Sequence, residues 1–204
     1  AALPVDQRPD DLITLLVETE IDGEPLDRRH LLGTCFLLLL AGIDTTWSAI
    51  GSSLWHLATH PEDQARLRAE PDLIDSAVEE LLRVYSPVTM AREVIADVDV
   101  AGCPMKPGDK VLMSFPAANR DPAQFENPDE FIIDRERNRH VAFGSGIHRC
   151  LGSNLARMEL RVAIQEWLTR IPTFELADPA AVTWTGGQVR GPRTIPVRWS
   201  ATRP

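Results

Sequence analysis

The chain has 204 residues, enough for one domain or a large part of one, and its 44% hydrophobic content supports a real core. Thirty acidic residues against 21 basic ones give a formal charge of −9, which argues against nucleic acid as a partner. Cysteines at 35, 103 and 150 leave at least one thiol unpaired, and no basic–apolar–small leader pattern opens the sequence, so a soluble cytoplasmic protein is expected.

Residues 1–9 read as a tail or loop end. Asp10 or Asp11 caps a first helix that runs to about Glu20, where the Asp22-Gly23 turn signal breaks it. Asp27 caps a second helix with no proline before Pro61, a rod of roughly 50 Å if unbroken. Its apolar run, Leu31 to Ile43, is too short to span a bilayer and ends at Asp44, so no membrane association is expected. Phe36 to Ile43 is apolar nearly all round, which predicts burial. Ala41-Gly42-Ile43-Asp44-Thr45-Thr46 then interrupts the rod. Gly42 costs about 1 kcal/mol against alanine, and Asp44 and Thr45 are polar in an apolar setting. Two readings stand: a bend with a solvated Asp44 and back-bonding threonines, or a functional site.

Pro61 opens a short helix to about Ala69, and another runs from Pro71 to Pro87 with Leu73, Ile74, Ala77, Val78, Leu81, Leu82 and Tyr85 on its apolar face. Glu80 and Arg83 share a face of that helix, a pair worth a few tenths of a kcal/mol if exposed, about the value of many surface pairs. Val88 to Met90 is an extended link. Alternation through Val98, Val100, Met105, Val111 and Met113, with a Pro107-Gly108-Asp109 turn, predicts a small antiparallel sheet. Ala118-Asn119-Arg120-Asp121-Pro122 reads as a short helix and turn, and Asp121 to Asn138 as a long polar loop. Leu151 to about Arg170 is helical, and short strands follow to near Trp199. There are no repeats or domain linkers, so 1–204 is read as one domain.

The most informative stretch is Phe143-Gly144-Ser145-Gly146-Ile147-His148-Arg149-Cys150-Leu151-Gly152. The glycines let the backbone bend and approach a bulky group closely. A helix starting after Cys150 points free N–H groups and a positive dipole end at the sulfur, which favours the thiolate. Such a thiolate, with basic neighbours, suits an iron porphyrin that carries its own propionates. A dinucleotide loop needs glycine where Arg149 sits, a P-loop needs Gly-Lys followed by Ser or Thr, and a zinc site needs more ligands than His148 and Cys150.

These residues resemble the haem-binding loop of the cytochrome P-450 family, Phe-Gly-x-Gly-x-His-x-Cys-x-Gly, with every fixed position met. The resemblance implies the C-terminal half of a mainly α fold with small antiparallel β-sheets. It implies haem b held by Cys150, within a loop that includes Phe143 and Gly144, and propionates held by His148 and Arg92. Ala41 to Thr45 resembles the family's oxygen-activation motif, so Ala41 and Gly42 would let the helix open over the haem. Thr45 would hydrogen-bond dioxygen and Asp44 would relay protons to it. Glu80 and Arg83 resemble Glu-x-x-Arg, which implies a buried triad with a later arginine, here Arg135. Leu38, Ala41, Val88, Met90 and Gln188 would line the remaining substrate pocket, largely apolar and suited to a hydrophobic organic molecule. The implied activity is a monooxygenase taking two electrons from a ferredoxin or flavin reductase domain. Two readings stand for Arg149, Arg157 and Arg161 near Cys150: a basic patch where an acidic donor docks, or scattered solvated arginines. The alternatives are a peroxide-driven relative and a truncated haem-binding protein. The family's N-terminal helices have no counterpart in the sequence, so exposed apolar faces are expected where they would pack.

Overall fold

The computed structural model describes residues 3–4 and 7–199, so parts of the expected tail and residues 200–204 lie outside the described residues. The chain divides into two compact units, residues 1–43 and 44–204. In the first, Asp11 caps α1 (Leu12–Glu18) by accepting the Thr14 N–H at 2.8 Å. The helix stops at Glu18, short of the expected Glu20, because Glu20–Ile21 (β1) pairs with Glu24–Pro25 (β2). Asp22 and Gly23 make the reversal at φ 54° and 81°, the left-handed geometry that a two-residue hairpin demands.

Asp27 caps α2 (Arg28–Thr59), accepting the His30 N–H at 2.7 Å. The helix runs unbroken through Ala41 to Thr46, so the expected interruption is chemical rather than a break in the helix. The predicted burial of Phe36–Ile43 is corrected: Phe36 is 66% exposed, and Leu37, Leu39, Leu40 and Ile43 are exposed with it. Uniform apolarity reports that a helix wants cover, not that its own chain supplies it. By length and composition α2 is also long and apolar enough to cross a membrane, a test that core helices of soluble proteins pass as well.

The second unit holds the core. α3 (Pro61–Ala69), α4 (Ile74–Val84) and α6 (Ser153–Arg170) surround it. Ile74, Ala77, Val78, Leu81 and Leu82 of α4 meet Leu160, Ile164 and Leu168 of α6, with Leu57, Leu67, Ile133 and Phe174 completing the cluster. Each large aliphatic side chain buried here contributes about 1.5–3 kcal/mol. Buried Gln64 ties the layers together: its Nε2 donates to the carbonyls of Leu57 and Phe174, both at 3.0 Å, and its Oε1 accepts the Phe174 N–H.

The sheets are small, antiparallel and two-stranded, as the alternation predicts. Thr89–Glu93 (β3) pairs with Lys110–Ser114 (β6), and Val98–Val100 (β4) with Cys103–Met105 (β5). Phe115–Ala118 (α5) follows β6 directly. Phe174–Leu176 (β7) pairs with Val197–Trp199 (β10), and Thr183–Thr185 (β8) with Gly191–Thr194 (β9).

β9 lies against the second half of α2. A Cβ added at Gly191 would sit 2.5 Å from Ser48 Cβ and 2.9 Å from its Cα, and one at Gly51 would meet Pro192 at 3.0 Å. Small residues therefore set the spacing between this helix and the C-terminal strands. Gly191→Ala should destabilise the protein by about 1–3 kcal/mol through overpacking against backbone. Gly186→Ala, with nothing within 4 Å of its new methyl group, should be near neutral. Denaturant unfolding of the two variants checks the contrast.

Candidate functional site

Between α5 and α6 the chain has no strand and only one short helical turn, Gly146–His148. Backbone bonds shape the approach to Cys150: the Gly144 N–H donates to Val141 O at 2.8 Å, the Cys150 N–H to Phe143 O at 2.8 Å, and the Arg149 N–H to Gly146 O at 3.1 Å. Gly144 and Gly146 adopt φ 70° and 67°. Glycine is needed at both for conformation rather than space, since a methyl group at 144 would make only ordinary contacts and one at 146 none. Cys150 is exposed two residues before Gly152, the N-cap of α6, so its loop ends where the free N–H groups of that helix begin.

Exposed neighbours of two kinds flank the sulfur-bearing residue. Ile147 and Leu151 are 97% and 90% exposed, and His148 and Arg149 are also exposed. Arg92 lies on β3, exposed, with Nη1 donating to its neighbour's carbonyl, Ala91 O, at 2.8 Å. Among the described residues no cluster of three or more His, Cys, Asp or Glu could hold a bare metal ion. One exposed thiol in a glycine-shaped loop, beside apolar and cationic side chains, fits a flat apolar macrocycle with anionic substituents that brings its own equatorial nitrogens.

Asp44 is exposed on α2 and Thr45 is half-buried. As consecutive helical residues they point in different directions, so no direct side-chain contact between them is expected. Val88, Met90 and Gln188 are brought together. Val88 bridges Val189, the Thr89 N–H donates to Gln188 O at 2.9 Å, and Gln188 Nε2 donates to Met90 Sδ at 3.5 Å. Leu38 and Ala41 belong to the α2 segment of the first unit, half-buried and exposed respectively.

The structure puts Glu80, Arg83 and Arg135 in one buried network. The Glu80 and Arg83 side chains are 0% exposed, and two parallel bonds of 2.8 Å join them. Arg135 Nε lies 3.0 and 3.1 Å from the two Glu80 oxygens. Burial opposes ionisation of Glu80, but the hydrogen bonds from Arg83, the Ile132 N–H and Arg135 outweigh it and hold its carboxyl below the usual range. A surface-pair value therefore underrates this pair. Sequence reasoning missed the rest of the shell. Asn138 Nδ2 donates to Glu80, and Arg83 donates to the carbonyls of Asn119, Pro128 and Glu130. Asn119 also holds Ser86 Oγ and the Val141 N–H. No spacing rule points to carbonyls in an irregular loop.

Two of the three arginines of the expected docking patch have partners on α4. Arg157 is engaged, donating from Nε and Nη2 to Glu79 at 2.6 and 2.9 Å, and Arg161 stands 3.8 Å from Asp75. Neighbouring α4 carboxylates offset these charges, which a reading of α6 alone could not reveal. His140 Nδ1 accepts the Ala142 N–H at 3.2 Å, so Nε2 carries the proton donated to Glu79 at 3.0 Å. Burial pushes Glu79 up, but bonds from His140 and Arg157 and their charges prevail, bringing its pKa to about 2.

Two outcomes follow. Glu80→Ala leaves Arg83 buried without its carboxylate and should cost about 3–5 kcal/mol in denaturant unfolding. Glu79 has its pKa depressed from 4.5, so its contribution is complete above pH 4.5 and is lost as pH falls toward 2. The stability difference between wild type and Glu79→Gln should therefore be constant near neutrality and narrow steadily across that acid window. Parallel denaturant titrations measure it.

The family model for cytochrome P450 matches residues 2–179. A probable cytochrome P450 127A1 of Sinorhizobium fredii is 40% identical over 93% of this chain and 46% of its own length. Cytochrome P450 105C1 of a Streptomyces species is 45% identical over 93% of this chain and 50% of its own. The chain thus spans about half the length of the curated relatives it matches. Among solved structures, cytochrome P450 PksS of the Bacillus subtilis bacillaene polyketide synthase aligns at TM-score 0.90 and 42% identity, over 96% of this chain and 51% of that one. CYP109E1 of Bacillus megaterium, solved with testosterone, aligns at TM-score 0.90 and 34% identity, over 96% and 55%. Family members carry thiolate-ligated haem b. With the cysteine loop, the buried Glu80 network and this shared fold in agreement, the chain belongs to the cytochrome P450 family.

Proposed function

We propose that this chain is the haem-bearing half of a monooxygenase that inserts one atom of dioxygen into a hydrophobic organic substrate, using two electrons from a redox partner. The observation that carries the reading is the Cys150 loop: two glycines at positive φ, the Cys150 N–H seated on Phe143 O, and an exposed sulfur-bearing residue ahead of α6.

Cys150 is the residue to hold the iron, with Phe143 and Gly144 shaping the loop and His148 and Arg92 supplying positive or donor groups for the propionates. When bound, the haem supplies the redox and oxygen chemistry, and the thiolate's electron density favours O–O cleavage. Asp44, exposed, can take protons from solvent. Thr45, half-buried on the same helix, offers a hydroxyl that can receive such a proton through water and present it inside. Glu80, Arg83 and Arg135 brace the loops that lead to Cys150. Val88, Met90 and Gln188, which adjoin one another beside the start of β3, form part of a largely apolar substrate wall. A ferredoxin or flavin reductase domain is the donor, and the three free cysteines suit a cytoplasmic setting.

Exposure of Phe36 and Trp47, at 66% and 71%, favours a second reading in which this chain alone binds haem but does not turn over. Carbon monoxide spectra of the reduced, haem-loaded protein test the ligand. A strongly red-shifted Soret band should appear in wild type and vanish in Cys150→Ser, and a band unchanged by the substitution overturns the assignment. Donor-dependent oxygen uptake then separates enzyme from binder. In an active enzyme Thr45→Ala should lower product formation by about 10²-fold while dioxygen consumption persists. Product measured per dioxygen consumed reads the effect.

A further inference from the structure

Glu79 precedes Glu80 on α4 but faces other partners. Its carboxylate takes the two-pronged Arg157 guanidinium from α6, at 2.6 and 2.9 Å, and the His140 Nε2–H at 3.0 Å. The Arg157 guanidinium carbon lies 4.6 Å from the centre of the Phe143 ring, and the His140 ring stands 6.0 Å from it. The carbonyl of Phe143 accepts the Cys150 N–H at 2.8 Å. One carboxylate thus reaches the cysteine loop by two routes, through an arginine over Phe143 and through a histidine just upstream of it.

We infer that Glu79 is a positioning residue for Cys150, holding Arg157 over Phe143 and so fixing the carbonyl on which the Cys150 amide is seated. A guanidinium is planar, and a carboxylate fork fixes its plane, which a point charge would not. The plane then has one favourable placement over the ring face. His140 adds a second constraint because Ala142 N–H occupies its Nδ1, leaving only Nε2–H to donate. The pair also keeps Arg157 from pointing freely into solvent, which separates its role from donor docking.

The inference rests on Cys150 as the iron ligand, and two readouts keep the claims apart. The first is hydrogen exchange of amides 143–152 in the full chain, which needs no haem. The second is the fraction of the reduced carbon monoxide complex with the red-shifted Soret band. Glu79→Ala should speed exchange in 143–152 about tenfold, leave α3 unchanged, and cut the red-shifted fraction by about half. Arg157→Lys should behave like Glu79→Ala, because lysine keeps the charge and loses the plane. Glu79→Gln keeps one accepting oxygen for Arg157 but sets an amide NH2 against the other donors, so it should fall between the extremes, about threefold above wild type. Loop exchange unchanged in Glu79→Ala, or raised equally in α3, overturns the positioning role. If Glu79→Ala does not fold, the contrast between Arg157→Lys and Glu79→Gln decides the same question, and equal behaviour of the two overturns it. Absence of the red-shifted band in wild type overturns the ligand assignment instead, while loop exchange still judges Glu79.

Discussion

The structure depends most on a buried carboxylate that four groups hold. Glu80 accepts from Arg83, Arg135, the Ile132 N–H and Asn138, with no exposure of its side chain. Two ions taken out of water cost several kcal/mol each, and only dense pairing repays that cost. The pairing is dense because Arg83 spends its remaining donors on the carbonyls of residues 119, 128 and 130. Those carbonyls belong to a segment with no helix or strand of its own. The ion network does for that segment what a sheet ladder does for a strand: it satisfies the backbone and fixes its course.

That course matters because the segment delivers the cysteine loop. Asn119 reaches from the end of α5 to the Val141 N–H, and the Gly144 N–H in turn donates to Val141 O. From there Phe143 O seats Cys150. Glu79, one residue from Glu80, holds the flank of the same loop through Arg157 and His140. Adjacent carboxylates on one helix therefore serve two neighbouring structures, since consecutive helical side chains diverge. Both carboxyls are held below their ordinary range, so acid works against both supports at once.

The sequence was legible where chemistry and backbone demand coincide. Gly144, Gly146 and Cys150 could be placed on one loop ahead of a helix, because positive φ and a capped helix start leave strong marks in composition. Asp11, Asp27, Pro61 and the Asp22-Gly23 turn gave element boundaries for the same reason. Arg135 could be singled out only through resemblance, since its contact with Glu80 spans 55 positions. Asn119, Asn138 and the cage of carbonyls left no periodic signal. Glu79 was invisible as a partner because Arg157 reads, on α6 alone, as a surface charge. The burial of Phe36–Ile43 was misjudged because a helix's apolarity describes what it needs and not what surrounds it.

The close approach of Gly191 to Ser48 gives the C-terminal strands leverage over a helix they do not belong to. Ser48 stands three residues after Thr45, nearly one turn along the same helix. A strand that sets how far Ser48 can move also limits how far that turn of the helix can shift. Variation at the tail of such a chain therefore acts on the middle of a long helix without altering any side chain that the helix itself carries.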